Sequence, residues 1–350
     1  MQFLAIIKIF FLTTLSFLVA ILWTPLLTHV LYRYKLGKQI RDDASAPIYA
    51  SMHKGKAGTP TMGGVIIWGT TLALAFVFYY GNVLIGGRFF SSFSFLSRQQ
   101  TLLPLGALVA SALVGLVDDY WNIKKIGPNG GGLRMRHRLL LYTGIAAVGA
   151  FWFFYKLGWD VFRVPFVGSF NIGWWYVPVF ILVIVATSFS VNETDGLDGL
   201  VGGTLLAAFA TYAAIAFLQG KTDLAAFCGV IVGALLAFLW FNINPARFFM
   251  GDTGAMSLGV TLGIVAMLTN TALLLPVIGF VFVLESASVI VQVASKKLRK
   301  KKVFLSAPIH HHFEAVGWPE PKIVMRFWII ASVTAVIGLI LALMDIGYFS

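Results

Sequence analysis

Charge is scarce in this sequence. Only 11% of its 350 residues are Asp, Glu, Lys or Arg, while 59% are hydrophobic. Water-soluble domains carry about 25% charged and about 45–50% apolar residues, so a soluble fold is not expected. Cysteine is scarcer still. Cys228 is the only one, which excludes an intrachain disulfide and leaves that thiol to helix packing. No HExxH pattern offers a zinc site. Acids are few as well, 14 against 26 Lys and Arg, for a net charge of +12. Basic loops beside anionic lipid account for that excess in an apolar chain, and no nucleic-acid partner is expected.

What the chain has in plenty is apolar runs of membrane-spanning length. About ten helices are expected, roughly over 3–31, 61–80, 101–118, 139–157, 174–191, 200–219, 224–242, 254–270, 273–294 and 325–346. The first run is too long for a signal-peptide core and is read as a retained helix, with Lys8 snorkelling to the interface. An even count puts both termini on one side. The odd loops hold Arg33, Lys35, Lys38, Arg41, Lys54, Lys56, Lys124, Lys125, Arg134, Arg136, Arg138, Arg247, the basic residues of the run Lys296–Lys302, Lys322 and Arg326. The even loops hold only Arg88, Arg98, Lys156, Arg163 and Lys221. The positive-inside rule then turns the odd loops to the cytoplasm and both termini to the outer, periplasmic side. The expected architecture is an all-α polytopic membrane protein, one integral domain over 1–350. Its site is formed by loops near 33–60, 118–138, 192–199, 243–253 and 295–324.

Nearly every acid is expected on that same cytoplasmic face, with Glu285 inside a helix as the exception. Asp118 and Asp119 open the third loop; adjacent carboxylates there suit a divalent cation. In "TDGLDGL", Asp195 and Asp198 are three residues apart, one face of a helical turn, with glycines that let backbone approach a ligand. The seventh loop supplies Asn242, Asp252 and Thr253. Oxygen ligands without cysteine favour magnesium over zinc. His310, His311 and His312 cannot all face one way, which argues against a three-histidine metal site and for phosphate binding or proton transfer. Lys56, with backbone N–H groups at the following helix start, could hold an anion. Oxygen ligands for magnesium, cations for phosphate and a lipid-facing body are the parts of a phosphoryl transfer between a lipid phosphate and a soluble nucleotide.

The stretches "GTPTMGG", "VDDY", "TDGLDGL", "FMGDTG" and "APIHHHFE…GWPEPK", in order from about Lys54 to Trp328, closely resemble the bacterial phospho-N-acetylmuramoyl-pentapeptide transferases. These belong to the polyprenyl-phosphate N-acetylhexosamine-1-phosphate transferase superfamily. The resemblance implies transfer of phospho-MurNAc-pentapeptide from UDP-MurNAc-pentapeptide to undecaprenyl phosphate, giving lipid I and UMP with Mg²⁺, in peptidoglycan synthesis. It implies Asp252 as magnesium ligand, assisted by Asn192, and Asp118 as base for the lipid phosphate, with Asp119 beside it. Asn192, Asp195 and Asp198 would serve the nucleotide-sugar and metal site. Phe249 would stack on uracil, with Lys56, Thr61 and Asn242 near, and His310, His311 and His312 would meet the donor's phosphate or sugar.

The sequence departs from the family pattern at Asn122, Arg138, Tyr142, Glu193, Asn244 and Arg247. The histidine triplet and GWPEP weigh against a UDP-GlcNAc or other UDP-HexNAc transferase. An intramembrane prenyltransferase would need two Asp-rich motifs, which "DDYWN" and "DGLDG" superficially offer. A transporter would place its acids near the bilayer midplane. A homodimer through a glycine-bearing helix is a further expectation.

Overall fold

The computed structural model describes residues 2–37, 56, 58–127 and 131–348; Lys38, Arg41 and Lys54 of the first loop lie outside them. Thirteen helices and one strand pair position everything discussed below. They are α1 (Gln2–Arg33), α2 (Val65–Leu84), α3 (Gly87–Phe93), α4 (Leu102–Ile123), α5 (Met135–Phe151), β1 (Val161–Val164), β2 (Gly168–Asn171), α6 (Tyr176–Thr194) and α7 (Leu200–Leu218). After them come α8 (Thr222–Asn242), α9 (Gly251–Leu268), α10 (Leu275–Ile278), α11 (Phe280–Leu298), α12 (Ile309–Ala315) and α13 (Glu320–Tyr348), with α10 a short prelude to α11.

Among the described residues nine helices are long and apolar enough to cross a membrane. A tenth span results if the bent pair Ala272–Ile278 and Phe280–Leu298 is counted as one. The protein is a multi-span membrane protein. Helix is the way a backbone meets its own hydrogen bonds where water is absent. The expected single helix over 273–294 is instead broken by 85°. The break falls at Gly279, whose φ of −100° and ψ of 35° leave the helical range, one turn after Pro276 has withdrawn an N–H.

Helices α8 and α9 form the buried centre. Around them α1 packs on α8, α4 and α6 on α9, α13 on α7 and α11 on α6. The outer helices expose Phe3, Leu22, Leu26, Val77, Leu140 and Ile329, as lipid contact demands. Close crossings depend on glycine. At Gly64 a Cβ would lie 2.3 Å from the Cα of Gly254, so α2 and α9 start against each other with no side chain between.

One departure from an all-helical chain is the antiparallel hairpin β1–β2, Val161 opposite Asn171 and Val164 opposite Gly168. Its turn carries Phe166 at φ 62°. Four-residue strands around Pro165 are too short to register as a run in an apolar sequence. The hairpin is tied to the C-terminal end of α13. Arg163 Nε lies 2.5 Å from Asp345 Oδ2, and the Phe166 N–H donates to Asp345 Oδ1 at 2.8 Å. At that same end Lys8 of α1 donates to Asp223 Oδ1 at 2.8 Å and to the Ser94 carbonyl at 2.7 Å. Lys8 is therefore an ion-pair partner at the interface and not a free snorkel. Asp223 and Asp345 also correct the expectation that Glu285 is the sole acid away from the site. The start of α1 and the end of α13 share this end of the bundle. The described site residues gather at the other.

Candidate active site

Four helices meet at Arg138. Asp118 belongs to the last turns of α4, Arg138 to the first turn of α5, Asn192 to the end of α6 and Asp252 to the start of α9. The expected loop opening at Asp118 and Asp119 is wrong in detail, since α4 continues to Ile123 and buries both carboxylates. Arg138 Nε lies 2.8 Å from Asp118 Oδ2 and its Nη2 2.8 Å from Asp252 Oδ2. Its Nη1 donates to Asn192 Oδ1 at 3.0 Å. Asn192 Nδ2 then donates to Asp252 Oδ1 at 2.7 Å. The remaining Asp118 oxygen accepts the Leu133 N–H at 2.6 Å, which folds the third loop back over α4.

Asp119 faces another way. Its Oδ1 accepts the Asp252 N–H at 3.1 Å and the Thr61 hydroxyl at 3.2 Å, and its Oδ2 accepts the Thr253 N–H at 3.0 Å. A carboxylate on the first N–H groups of a helix is a cap, favoured by the helix dipole. Asp119 thus fixes α9, and with it Asp252. Gly251, at φ 76°, makes the entry, and a Cβ there would lie 2.6 Å from Asp119 Oδ2.

Loop one runs alongside loop seven. The Phe249 N–H donates to the Pro60 carbonyl, and the N–H groups of Gly63 and Gly64 donate to the Phe249 and Met250 carbonyls, each at 2.8 Å. Those glycine N–H groups are consumed by backbone, which corrects the expectation that they hold an anion. Lys56 lies 2.7 Å from Asp198 Oδ1 and 2.5 Å from Glu320 Oε1. Burial works against its ammonium, but the Glu320 and Asp198 carboxylates outweigh it and hold the charge above the ordinary lysine range. Its Nζ is 5.9 Å from the centre of the half-buried Phe249 ring.

Asp198 also accepts Asn244 Nδ2 at 3.0 Å and the Ala246 N–H at 3.1 Å. Asn242 uses its amide internally, Oδ1 on the Gly199 N–H at 3.0 Å and Nδ2 on the Phe248 carbonyl at 2.8 Å. It latches loop five to loop seven. Asp195 is the half-buried residue that closes α6, so the Asp195–Asp198 pair stands in a turn and not on a helical face.

The three histidines take three environments on α12. His310 Nδ1 lies 2.9 Å from Glu285 Oε2 of α11, both fully buried. Burial alone would lower the His310 pKa, but Glu285 outweighs it and the result is a raised one. A Cβ at Gly196 would lie 2.1 Å from His310 Nε2, so the triplet packs directly on the TDGLDGL turn. His311 Nδ1 is 2.6 Å from Glu314 Oε2. Burial pushes the Glu314 carboxyl up to about 7. His312 Nδ1 accepts the Leu305 N–H at 3.2 Å.

Residues 101–270 match the profile of glycosyl transferase family 4, and residues 56–67 match phospho-N-acetylmuramoyl-pentapeptide-transferase signature 1. A phospho-N-acetylmuramoyl-pentapeptide-transferase of Chloroflexus aggregans is 40% identical over 328 residues, covering 90% of this chain and 84% of that protein. The chain belongs to this transferase family. Similar transferases of Geobacillus thermodenitrificans, 40% identical over 93% of this chain and 94% of theirs, and of Bacillus subtilis, 38% identical over 95% and 97%, match it nearly end to end.

In this transferase chain, sequence reasoning named most of the residues that the fold gathers but not the ones that join them. Arg138 was visible only as a basic residue of the third loop and a departure from the family pattern. Glu320 and Glu314 lie within the quoted "HHHFE…GWPEPK" stretch; Glu314 meets His311 three residues back, whereas the pairing of Glu320 with Lys56 is announced by no spacing. Glu285 proves to be the partner of His310 across 25 residues.

The donor set around Arg138 is all oxygen: Asp118, Asn192 and Asp252. It fits magnesium, which takes one or two carboxylates and completes its shell with water and phosphate. Among the described residues no group of three or more His, Cys, Asp and Glu is arranged to hold a metal. The protein would therefore supply part of the shell.

Proposed function

We propose that this chain transfers phospho-MurNAc-pentapeptide from UDP-MurNAc-pentapeptide to undecaprenyl phosphate, producing lipid I and UMP at the cytoplasmic face of the bacterial inner membrane. The observation that carries the reading is the meeting of Asp118, Asn192 and Asp252 on one guanidinium, at the end of the bundle where loops one, five, seven and nine interlock. An apolar cleft of about 220 Å³ runs between α6 and the bend before α11, lined by Leu182, Pro276, Phe282 and Val283 and ending at Ser190, two residues before Asn192. A prenyl chain fits that chemistry and that proximity to Asn192.

Asp252 and Asn192 would hold Mg²⁺, which when bound would neutralise the donor pyrophosphate and the departing UMP. Asp118 is the candidate base for the lipid phosphate, with at most one proton to accept. A phosphate oxygen of the lipid would bond to the sugar-bearing phosphorus, and the bond from that phosphorus to UMP would break. Phe249 would stack on uracil. Lys56, tied to Asp198 and Glu320, would position loop one against the donor, and Asp195 would border the sugar phosphate. His310 and His311, braced by Glu285 and Glu314, would approach the donor through the TDGLDGL turn. Asp119, Thr61 and Asn242 would act by holding these groups in place. We include a homodimer in the reading, tested by crosslinking in the membrane.

Purified protein supplied with both substrates and Mg²⁺ should release UMP, and Asp252→Ala should not. Turnover of a prenyl diphosphate without nucleotide would favour the prenyltransferase, and equal use of UDP-GlcNAc the broader superfamily.

A further inference from the structure

Arg138 sits where a cation from outside would have to bind. Its guanidinium contacts two carboxylates and one amide oxygen from three other helices, at 2.8, 2.8 and 3.0 Å. Asp118 is fully buried and Arg138 largely so. Two carboxylates brought this close away from water need positive charge between them. The planar, permanently charged guanidinium supplies it, with donors enough for three acceptors at once. These are also hard oxygen donors of the kind that magnesium selects. Asp252 Oδ2 and Asn192 Oδ1 both face Arg138 donors, so a cation binding the same oxygens would meet the guanidinium charge at close range.

We propose that Arg138 is an internal competitor of the divalent cation. It neutralises Asp118 and Asp252 and occupies the Asn192 amide oxygen in the resting protein, and must leave Asp252 before a metal can bind there. Arg138 therefore sets the metal affinity of the free enzyme. An anion able to draw the guanidinium away favours metal entry, and a nucleoside diphosphate is such an anion. The inference rests on the transferase reading only for the metal's purpose; the competition itself is a property of the substrate-free chain.

The test is Mn²⁺ binding to the full-length, substrate-free protein in detergent, followed by electron paramagnetic resonance and by the rise in melting temperature with added Mn²⁺. Arg138→Gln should bind Mn²⁺ at least roughly tenfold more tightly than the unaltered chain, since a neutral amide no longer competes for the carboxylates. Arg138→Lys, a point charge that cannot span three acceptors, should fall between them and covers the case in which the Gln variant does not fold. Adding Asp252→Asn to Arg138→Gln should abolish the gain. Unchanged or weaker Mn²⁺ binding in both Arg138 variants overturns the proposal. So does a gain that survives loss of Asp252, or a failure of all the proteins to bind Mn²⁺. UMP release by the unaltered chain is measured separately. Its absence would sink the transferase reading, whereas unaltered Mn²⁺ affinity in an active enzyme would sink only the competition.

Discussion

The two ends of the bundle handle charge differently. At the end carrying the termini, charges come one to one: Lys8 with Asp223, Arg163 with Asp345. At the site end each of the two bridging cations serves two carboxylates, Arg138 with Asp118 and Asp252, Lys56 with Asp198 and Glu320. One-to-one pairs staple helices and hairpin at a membrane surface. Two acids to one base leave net negative charge, which draws in a further cation; a phosphoryl-transfer site needs that and a staple does not.

The sharpest way to break this contrast is to remove a carboxylate from each end. Asp252→Ala should lower UMP release by roughly 10²–10³-fold or more, the scale of losing a group aimed at developing charge. Asp345→Ala should leave turnover near normal while destabilising the fold by about 1–3 kcal/mol, since Arg163 and the Phe166 N–H lose their acceptor. Substantial loss of turnover in Asp345→Ala, with the protein folded, would erase the distinction. Lys56→Met comes next. It sets Asp198 against Glu320 without a counter-charge and should cost about 1–3 kcal/mol of thermal stability, with a raised KM for the nucleotide donor. An unchanged KM would detach Lys56 from the donor.

Asp119→Asn tests whether that acid works as a cap. Asn keeps one of the two acceptor oxygens and leaves one backbone N–H unmet, so the variant should fold, lose about 1–3 kcal/mol and keep most of its turnover. A collapse of kcat as deep as that of Asp252→Ala would return Asp119 to the chemistry. The smallest effect concerns pH. Burial has lifted Glu314 from an ordinary 4.5 to about 7, so the folded state holds that proton more tightly than the unfolded chain. The stabilisation is complete below about 4.5 and is lost as pH rises through about 7. His310, raised by Glu285, adds the same sign: a contribution present below the ordinary histidine range and lost above its own raised value. Melting temperature followed across that window should fall less with pH in Glu314→Gln.

Most spans were legible because an apolar run in lipid has one way to satisfy its backbone. The seventh was expected over 224–242 and is Thr222–Asn242. What escaped was short or bent: the four-residue strands of the hairpin, and the 85° break at Gly279 inside an otherwise uniform apolar stretch. At the site, residue types gave the acids and the histidines. They did not separate Asp118, which meets Arg138, from Asp119 one residue on, which caps α9. Adjacent residues on a helix point about 100° apart, and only the neighbouring helices decide what each one meets.

Hydropathy and the placement of basic residues by themselves determined a helical, membrane-spanning chain with its polar motifs at helix ends, because both follow from the cost of exposing backbone and charge to lipid. The tertiary structure alone decided that Arg138, Asn192 and Asp252, from α5, α6 and α9, close on Asp118 of α4. It likewise decided that Glu285 braces His310 and that Lys56 bridges Asp198 and Glu320. Contacts between residues far apart in the chain depend on how helices cross, and the crossings are set by glycines and side-chain shape that no single span records.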